Sequence, residues 1–258
     1  MTDGPVARVL LPAERRRLWF EVGLVAALSL GQSAVYAIVR LADIVSRGPI
    51  DQAQAKLNTS QSPRPGFDLV YQLLGIGFAL VPVLLALYLL TRDDDPTPLS
   101  RRLGVAGDKW RDLGSGTGMF LIIGAGTLLV YAGGRATGIT AEVQPANLGD
   151  HWWTIPVLLL AAAKNGILEE VLIFGFGATR LYRLGCGPWT IIVSLALFRA
   201  SYHLYQGIGP FLGNVAMGII FGWWFMRRGR LMPLVWAHFL IDAVGFLAPG
   251  ILDLVDFA

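Results

Sequence analysis

Residues 155–176 read IPVLLLAAAKNGILEEVLIFGF, an apolar run long enough to cross a lipid bilayer as a helix. Within this run lie Lys164, Asn165, Glu169 and Glu170. A charge at the middle of a membrane costs about 2.5–3.5 kcal/mol on insertion scales, so adjacent carboxylates at such a place are rarely accidental. The run therefore predicts a membrane-spanning helix that carries a polar functional site.

The composition of the whole chain agrees with a membrane protein. Of its 258 residues, 54% are hydrophobic and 15% are charged, and the mean hydropathy is +0.56. These values are too apolar for an ordinary soluble domain. Hydropathy predicts spans at 18–41, 68–91, 112–133, 154–179, 188–204, 209–226 and 231–250. We predict an all-α fold, a polytopic transmembrane helix bundle of about seven helices (seven or eight).

The placement of cations predicts how the chain is oriented. Arginines at 15–17 precede the first span, and further arginines follow the second, fourth and sixth spans. Since cytoplasmic loops carry the excess of Lys and Arg, we expect a multi-pass protein of the cell (plasma) membrane with a cytoplasmic N-terminus. Topology then accounts for the net charge of +3, and the expected partner is the lipid bilayer, not nucleic acid. The lone Cys186 excludes an internal disulfide and a cysteine-cluster metal site.

Ionisable residues also occur in the fifth and seventh spans. His203 follows Arg199 by four residues, and Asp242 follows His238 by four, so each pair projects from one helix face. With the glutamates they form one set: Glu169, Glu170, His203, His238 and Asp242. Such a set can activate water and stabilise an oxyanion. It can also hold a divalent metal, or Lys164 or Arg199 can neutralise the carboxylates in an internal salt bridge.

The order and spacing of these residues resemble the motifs of a known family, the CAAX prenyl protease and bacteriocin-processing (CPBP) intramembrane proteases. The motifs of that family are Glu-Glu-x-x-x-Arg, Phe-x-x-x-His and His-x-x-x-Asn or Asp. The corresponding segments here are Glu169-Glu170-Val-Leu-Ile-Phe174, Arg199-Ala-Ser-Tyr-His203 and His238-Phe-Leu-Ile-Asp242. The resemblance covers about residues 153–246.

This resemblance implies an intramembrane endopeptidase that hydrolyses peptide bonds of a membrane-associated protein or peptide. Glu169 would activate the attacking water with help from His203. Glu170 would support these two residues from a neighbouring position. His238 and Asp242 would bind the oxyanion or help place the water. Because family members are often described as metalloproteases, the resemblance leaves open whether a divalent metal such as zinc is bound. Its ligands would be Glu169, His203 and His238. Prenylated CAAX proteins, peptide maturation, bacteriocin self-immunity and membrane-protein turnover are all open as substrates or pathways.

The resemblance also implies a division of the chain. We predict N-terminal transmembrane helices and loops over 1–150, a catalytic core over 151–250, and a C-terminal tail over 251–258. Helix counting leaves one geometrical question, because at about 1.5 Å per residue His203 would lie farther from the cytoplasmic end than Glu169 or His238. An irregular start of the fifth helix, near Pro188, would reconcile these depths.

Two positions depart from the family pattern. Phe174 is found where the family usually has arginine, and Arg199 where it usually has phenylalanine. Our hypothesis is compensation: Arg199 supplies the cation that holds Glu170, and Phe174 fills the vacated apolar volume. The same departures favour an alternative, a catalytically silent membrane scaffold of the same fold. A proton- or cation-coupled transporter is a further alternative, against which the absence of internal repeats counts.

Overall fold

The computed structural model describes residues 10–255, so residues 256–258 of the predicted tail lie outside the described part of the chain. The structure is mostly helical, in agreement with the predicted all-α membrane bundle. The N-terminal helices are α1 (Pro12–Ala27), α2 (Leu30–Arg47), α3 (Pro65–Ala79), α4 (Val81–Thr91), α5 (Leu99–Arg102) and α6 (Lys109–Ala136). The later helices are α7 (Thr154–Glu170), α8 (Thr179–Arg183), α9 (Pro188–Ser201), α10 (Ile208–Arg228) and α11 (Met232–Val255).

By length and hydropathy, three stretches of the described chain can cross a membrane: Pro65–Thr91, Lys109–Ala136 and Ile208–Arg228. The pair α1 and α2 would add a fourth span if its 55° bend lies within one crossing. The predicted count of seven spans is therefore not confirmed. Two of the remaining predicted spans correspond to short apolar helices, Pro188–Ser201 and Met232–Leu247.

Local sequence signals explain several helix boundaries. Asp108 caps α6, because its carboxylate accepts hydrogen bonds from the backbone N–H groups of Trp110 and Arg111. Pro82 lies in the first turn of α4, where its missing N–H costs nothing and its ring prevents continuation from α3. Gly229 ends α10 in the left-handed conformation, with φ of 62°, which a residue without a Cβ adopts readily.

Two short strands interrupt the helical pattern. β1 (Gln54–Thr59) pairs in parallel with β2 (Glu142–Asn147), and the register places Gln54 opposite Glu142. Both strands lie between the spans predicted from hydropathy, and neither was predicted because neither carries a clear run of β-branched residues. A further bridge pairs Thr140 with Gly207, so the segment before β2 is tied to the turn that follows α9.

The chain from α7 to α8 is one continuous helical rod with a widened middle. Residues Val171–Ala178 form a π-helix directly after Glu170, and all of their side chains are buried. Such wide turns are rare and are often found at functional sites. The rod packs against α9 and α11 and carries the glutamate pair into the protein interior.

Two glycines of α10 allow close helix packing around this rod. A Cβ on Gly218 would lie 2.7 Å from the Cα of Ala196, so α9 and α10 meet backbone to backbone there. A Cβ on Gly222 would lie 3.1 Å from the Cε1 atom of Phe174. Small residues one turn apart therefore bring α10 against both α9 and the π-helix.

An ion cluster joins the end of α4 to α8. Arg102 and Arg180 donate hydrogen bonds to the carboxylate of Asp93 at 2.7 and 2.8 Å, and Arg183 also contacts it. Arg180 is 1% exposed and also pairs with Glu21 of α1 at 3.0 Å. Burial acts to raise the pKa of Asp93, but the hydrogen bonds and charges of the arginines outweigh it and hold that pKa below its ordinary value.

Candidate functional site

The glutamate pair lies at the last two positions of α7. Helix neighbours are about 100° apart, so the two carboxylates leave the helix in different directions. Glu170 is fully buried, and Glu169 is 8% exposed. Two buried carboxylates need positive or hydrogen-bonding partners, because an unpaired buried charge costs several kcal/mol.

Arg199 of α9 supplies the positive partner. Its Nη1 atom donates a hydrogen bond to Oε1 of Glu170 at 2.7 Å, and its Nη2 atom lies 3.3 Å from Oε2 of Glu169. The side chain is 1% exposed. Phe174 is also fully buried, and its ring lies 6.3 Å from that of Phe225. The cation and the apolar ring thus occupy the places that the compensation hypothesis requires, and their functional equivalence stays a hypothesis.

His238 of α11 contacts the same carboxylate. Its Nδ1 atom lies 2.7 Å from Oε1 of Glu170. A carboxylate accepts hydrogen bonds, so Nδ1 carries a proton and donates this hydrogen bond to Glu170. The other ring nitrogen, Nε2, then faces Asp242 at 3.7 Å. Glu170 therefore fixes the orientation of the imidazole ring through its hydrogen bond with Nδ1.

Asp242 is anchored by a polar chain from α7. Asn165 donates a hydrogen bond to Oδ2 of Asp242 at 2.6 Å, and Lys164 donates to the amide oxygen of Asn165. The sequence offered Lys164 as one salt-bridge partner for the glutamates and gave Asn165 no contact, whereas Lys164 is observed on the amide oxygen of Asn165. The structure connects both to the last helix of the chain.

His203 lies beyond the end of α9, on the turn before a short 3₁₀ segment, Leu204–Gln206. Its Nε2 atom lies 4.0 Å from Oε2 of Glu169. This distance shows that His203 and Glu169 lie at the same depth, although α9 begins at Pro188 as an ordinary helix with proline in its first turn. Among the residues that the structure describes, neither ring nitrogen of His203 has a hydrogen-bond partner, although both are buried.

Tyr202 is a site residue that the sequence reasoning missed. Its hydroxyl donates a hydrogen bond to Oε2 of Glu169 at 2.6 Å, and the side chain is 6% exposed. A signal was present, since a tyrosine buried among apolar residues usually needs a partner for its hydroxyl group. Tyr202 directly precedes His203, within the second motif segment.

A cavity of about 380 Å³ adjoins these residues. Its polar wall consists of Arg199, His203, His238 and Asp242 together with Gln206 and Asn214. The opposite wall comes from α6 and includes Leu128, which is 71% exposed on the outer surface. The cavity therefore opens toward the apolar exterior of the bundle. Glu169 does not line it, and His203 lies between that carboxylate and the cavity.

Three buried residues of the site lie close enough together to share a metal ion. Ligand atoms of Glu169, Glu170 and His238 lie within 4.8 Å of one another, so Glu170 replaces His203 in the set that the sequence suggested. The guanidinium of Arg199, however, contacts all three, since its Nη2 atom is also 3.3 Å from Nδ1 of His238. A divalent ion about 4 Å from this cation would be repelled by about 8 kcal/mol at an effective dielectric constant near 20, and the attraction of the two carboxylates would oppose this repulsion. The cluster could therefore hold a metal ion, and Arg199, which contacts all three residues in this structure, would compete with that ion for them.

The fold and the site define a class, a helical membrane protein with a buried glutamate, arginine and histidine cluster beside a cavity. Residues 151–244 match the family model described as Type II CAAX prenyl endopeptidase Rce1-like. This match confirms the resemblance to the CPBP proteases over that segment. No curated protein and no solved structure matches the chain.

Proposed function

We propose that this protein is an intramembrane endopeptidase in which Glu169 activates water to hydrolyse a peptide bond. The observation that carries the proposal is the environment of Glu169. Its Oε2 atom is engaged by Tyr202 and Arg199, while no hydrogen bond from the described residues reaches Oε1. The carboxylate is thus ionised, oriented and left with one oxygen for a water molecule, as a general base requires.

The proposed reaction uses the residues of the set in distinct roles. A water molecule between Glu169 and His203 attacks the carbonyl carbon, and Glu169 takes its proton. His238 acts as an imidazolium in this proposal: its Nδ1–H donates to Glu170, its Nε2–H donates to the developing oxyanion, and Asp242 keeps the ring in place. When the C–N bond breaks, Glu169 returns the proton to the leaving amine nitrogen. Glu170 and Arg199 do not touch the reacting atoms and act by positioning.

The substrate class follows from the cavity and from the family description. An opening toward the apolar exterior admits a peptide that is already associated with the membrane, because such a segment need not cross water to reach the site. The matched family is named for prenylated CAAX proteins, so a prenylated peptide belongs among the substrates tested. A multi-pass location in the plasma membrane with a cytoplasmic N-terminus is part of the same proposal.

Purified protein in detergent micelles would be offered a library of quenched membrane peptides, with and without a prenyl group. Wild type should cleave at least one member, and Glu169→Gln and His203→Ala should each lower the cleavage rate by about 100-fold or more. Glu142→Gln is the matched control, because it makes the same chemical change at an exposed position of strand β2. Cleavage that survives both site substitutions would contradict the assigned base.

The exchange of Phe174 and Arg199 favours a second candidate, a silent scaffold. In that function the guanidinium would neutralise the glutamates permanently, and the cavity would hold a partner helix without cutting it. Wild-type protein that binds library peptides but releases no product would support the scaffold. Glu169→Gln should then leave peptide binding unchanged.

A further inference from the structure

Tyr202 touches both members of the proposed proton-transfer pair. Its hydroxyl binds Glu169, and its ring centroid lies 4.7 Å from that of His203. We infer that Tyr202 is the positioning residue that fixes the Glu169 carboxylate for proton transfer. The catalytic consequence of this inference rests on the proposed peptidase function.

The contact is strong and directional. A hydroxyl that donates to an ionised carboxylate at 2.6 Å forms a charge-assisted hydrogen bond, about twice as strong as a neutral one. The contact is also dry, because Tyr202 is 6% exposed and Glu169 is 8% exposed. Water therefore does not compete for this oxygen, and the carboxylate is held in one orientation.

The hydroxyl and the guanidinium select the same oxygen. Tyr202 binds Oε2, and Nη2 of Arg199 lies 3.3 Å from it. A partial rotation of the carboxylate would weaken both contacts, whereas a half-turn only exchanges two equivalent oxygens. Tyr202 thus fixes the plane of the carboxylate so that its second oxygen points to the reacting water, and a small error in such placement can lower a rate by about 100-fold.

The support of Tyr202 is rigid. It is the residue immediately after α9, and its ring packs edge-on against Phe198 one turn earlier, with centroids 6.2 Å apart. On its other side the ring contacts His203. One aromatic ring therefore sets the 4.0 Å separation between Nε2 of His203 and Oε2 of Glu169.

The neighbouring Tyr205 offers a matched control. Its hydroxyl accepts a hydrogen bond from Gln206 at 2.9 Å, and no hydrogen bond to Glu169 is among those of the described residues. Tyr205→Phe removes a phenolic oxygen, as Tyr202→Phe does, and the two positions are three residues apart. A general effect of losing a buried hydroxyl would therefore appear in both variants.

The kinetic test compares Tyr202→Phe with Tyr205→Phe. We expect Tyr202→Phe to lower kcat by about 10- to 100-fold with KM within about twofold of wild type, because the residue orients the base without binding the peptide. Tyr205→Phe should leave both constants unchanged. A wild-type kcat in Tyr202→Phe, or equal losses in both variants, would overturn the inference.

An infrared measurement tests the contact without any activity. In protein labelled with ¹³C-glutamate, the Glu169 carboxylate band is identified by its absence in Glu169→Gln. This band should shift in Tyr202→Phe and stay in place in Tyr205→Phe. An unshifted band in Tyr202→Phe would overturn the inference whatever the kinetics. A shifted band in a protein that cleaves no peptide would support the positioning contact and refute the proposed function.

Discussion

The Nη1 atom of Arg199 lies 2.7 Å from Oε1 of Glu170, although the two residues are 29 positions apart and belong to different helices. The same carboxylate oxygen is 2.7 Å from Nδ1 of His238. Glu170 therefore joins α7, α9 and α11 at one buried point. A cation and an imidazole share one oxygen atom, and loss of any member leaves the others with an incomplete set of partners.

Arg199→Phe should destabilise the protein by about 3–5 kcal/mol, because Glu170 would be buried without its cation. If Arg199 replaces the arginine usual at position 174, the double variant Arg199→Phe with Phe174→Arg should recover part of that loss. Thermal unfolding in detergent measures both effects. Arg227→Phe, at an exposed position of α10, is the control and should change stability little. A double variant no better than the worse single variant would contradict compensation.

The glutamates, both intramembrane histidines and Arg199 were identifiable from the sequence, because ionisable residues in apolar helices are costly and rare. The departure from the family pattern also suggested the hypothesis that Arg199 supplies the cation that holds Glu170. Tyr202 was not identified, because its contact depends on where α9 ends. Spacing alone suggested a helix through 204, whereas the helix ends at Ser201.

The number of membrane spans could not be predicted from hydropathy, because helix bends and changes of helix type alter where a span begins and ends. Segment 154–179 contains the charges of the site, and the observed rod changes from α-helix to π-helix after Glu170. The first predicted span is observed as two helices with a 55° bend. Hydropathy reports apolar length and is insensitive to such bends. Strands β1 and β2 were missed because their pairing joins loops that are 88 residues apart.

Metal chelation should leave the protein unaffected, because the guanidinium of Arg199 contacts all three residues that could bind a divalent ion. Incubation with EDTA or 1,10-phenanthroline, followed by dialysis, should change neither the unfolding temperature nor any cleavage rate. Calorimetric titration with Zn²⁺ should show no tight site in wild type. Loss of activity on chelation that Zn²⁺ restores would show that our assignment of Arg199 is wrong.

Asp93 should make stability depend on pH in the acidic range. Its folded-state pKa is lowered from 3.8, so its contribution is complete above that value and is lost as the pH falls through the lower folded-state pKa. Asp93→Asn should cost about 3 kcal/mol at pH 7, since Arg180 would lose its buried partner. The difference from wild type should shrink below about pH 4.

Unfolding curves between pH 3 and pH 7 would measure this difference. Asp43→Asn is the control, because Asp43 pairs with Arg47 at an exposed site on α2. That substitution should cost less than about 1 kcal/mol at every pH. A wild-type advantage over Asp93→Asn that grows on acidification would have the wrong sign and would refute the role given to Asp93.

The proposed orientation predicts which loops are reached from outside the cell. Cys186 is the sole cysteine, so Cys186→Ser gives a background for single new cysteines. Pro63→Cys should react with a membrane-impermeant maleimide on intact cells, whereas Thr97→Cys should react only after permeabilisation. Both positions are exposed in the structure. The reverse pattern would place the N-terminus outside.

The close approach of Gly222 to Phe174 has a consequence for the history of this site. The aromatic ring at 174 needs the space that the missing side chain at 222 leaves, while Gly218 lies 3.5 Å, measured from its added Cβ, from the Cδ atom of Arg199. The 3.5 Å distance is an ordinary contact, so only position 222 is constrained by the exchange. Relatives with a phenylalanine at position 174 should therefore keep a glycine at position 222.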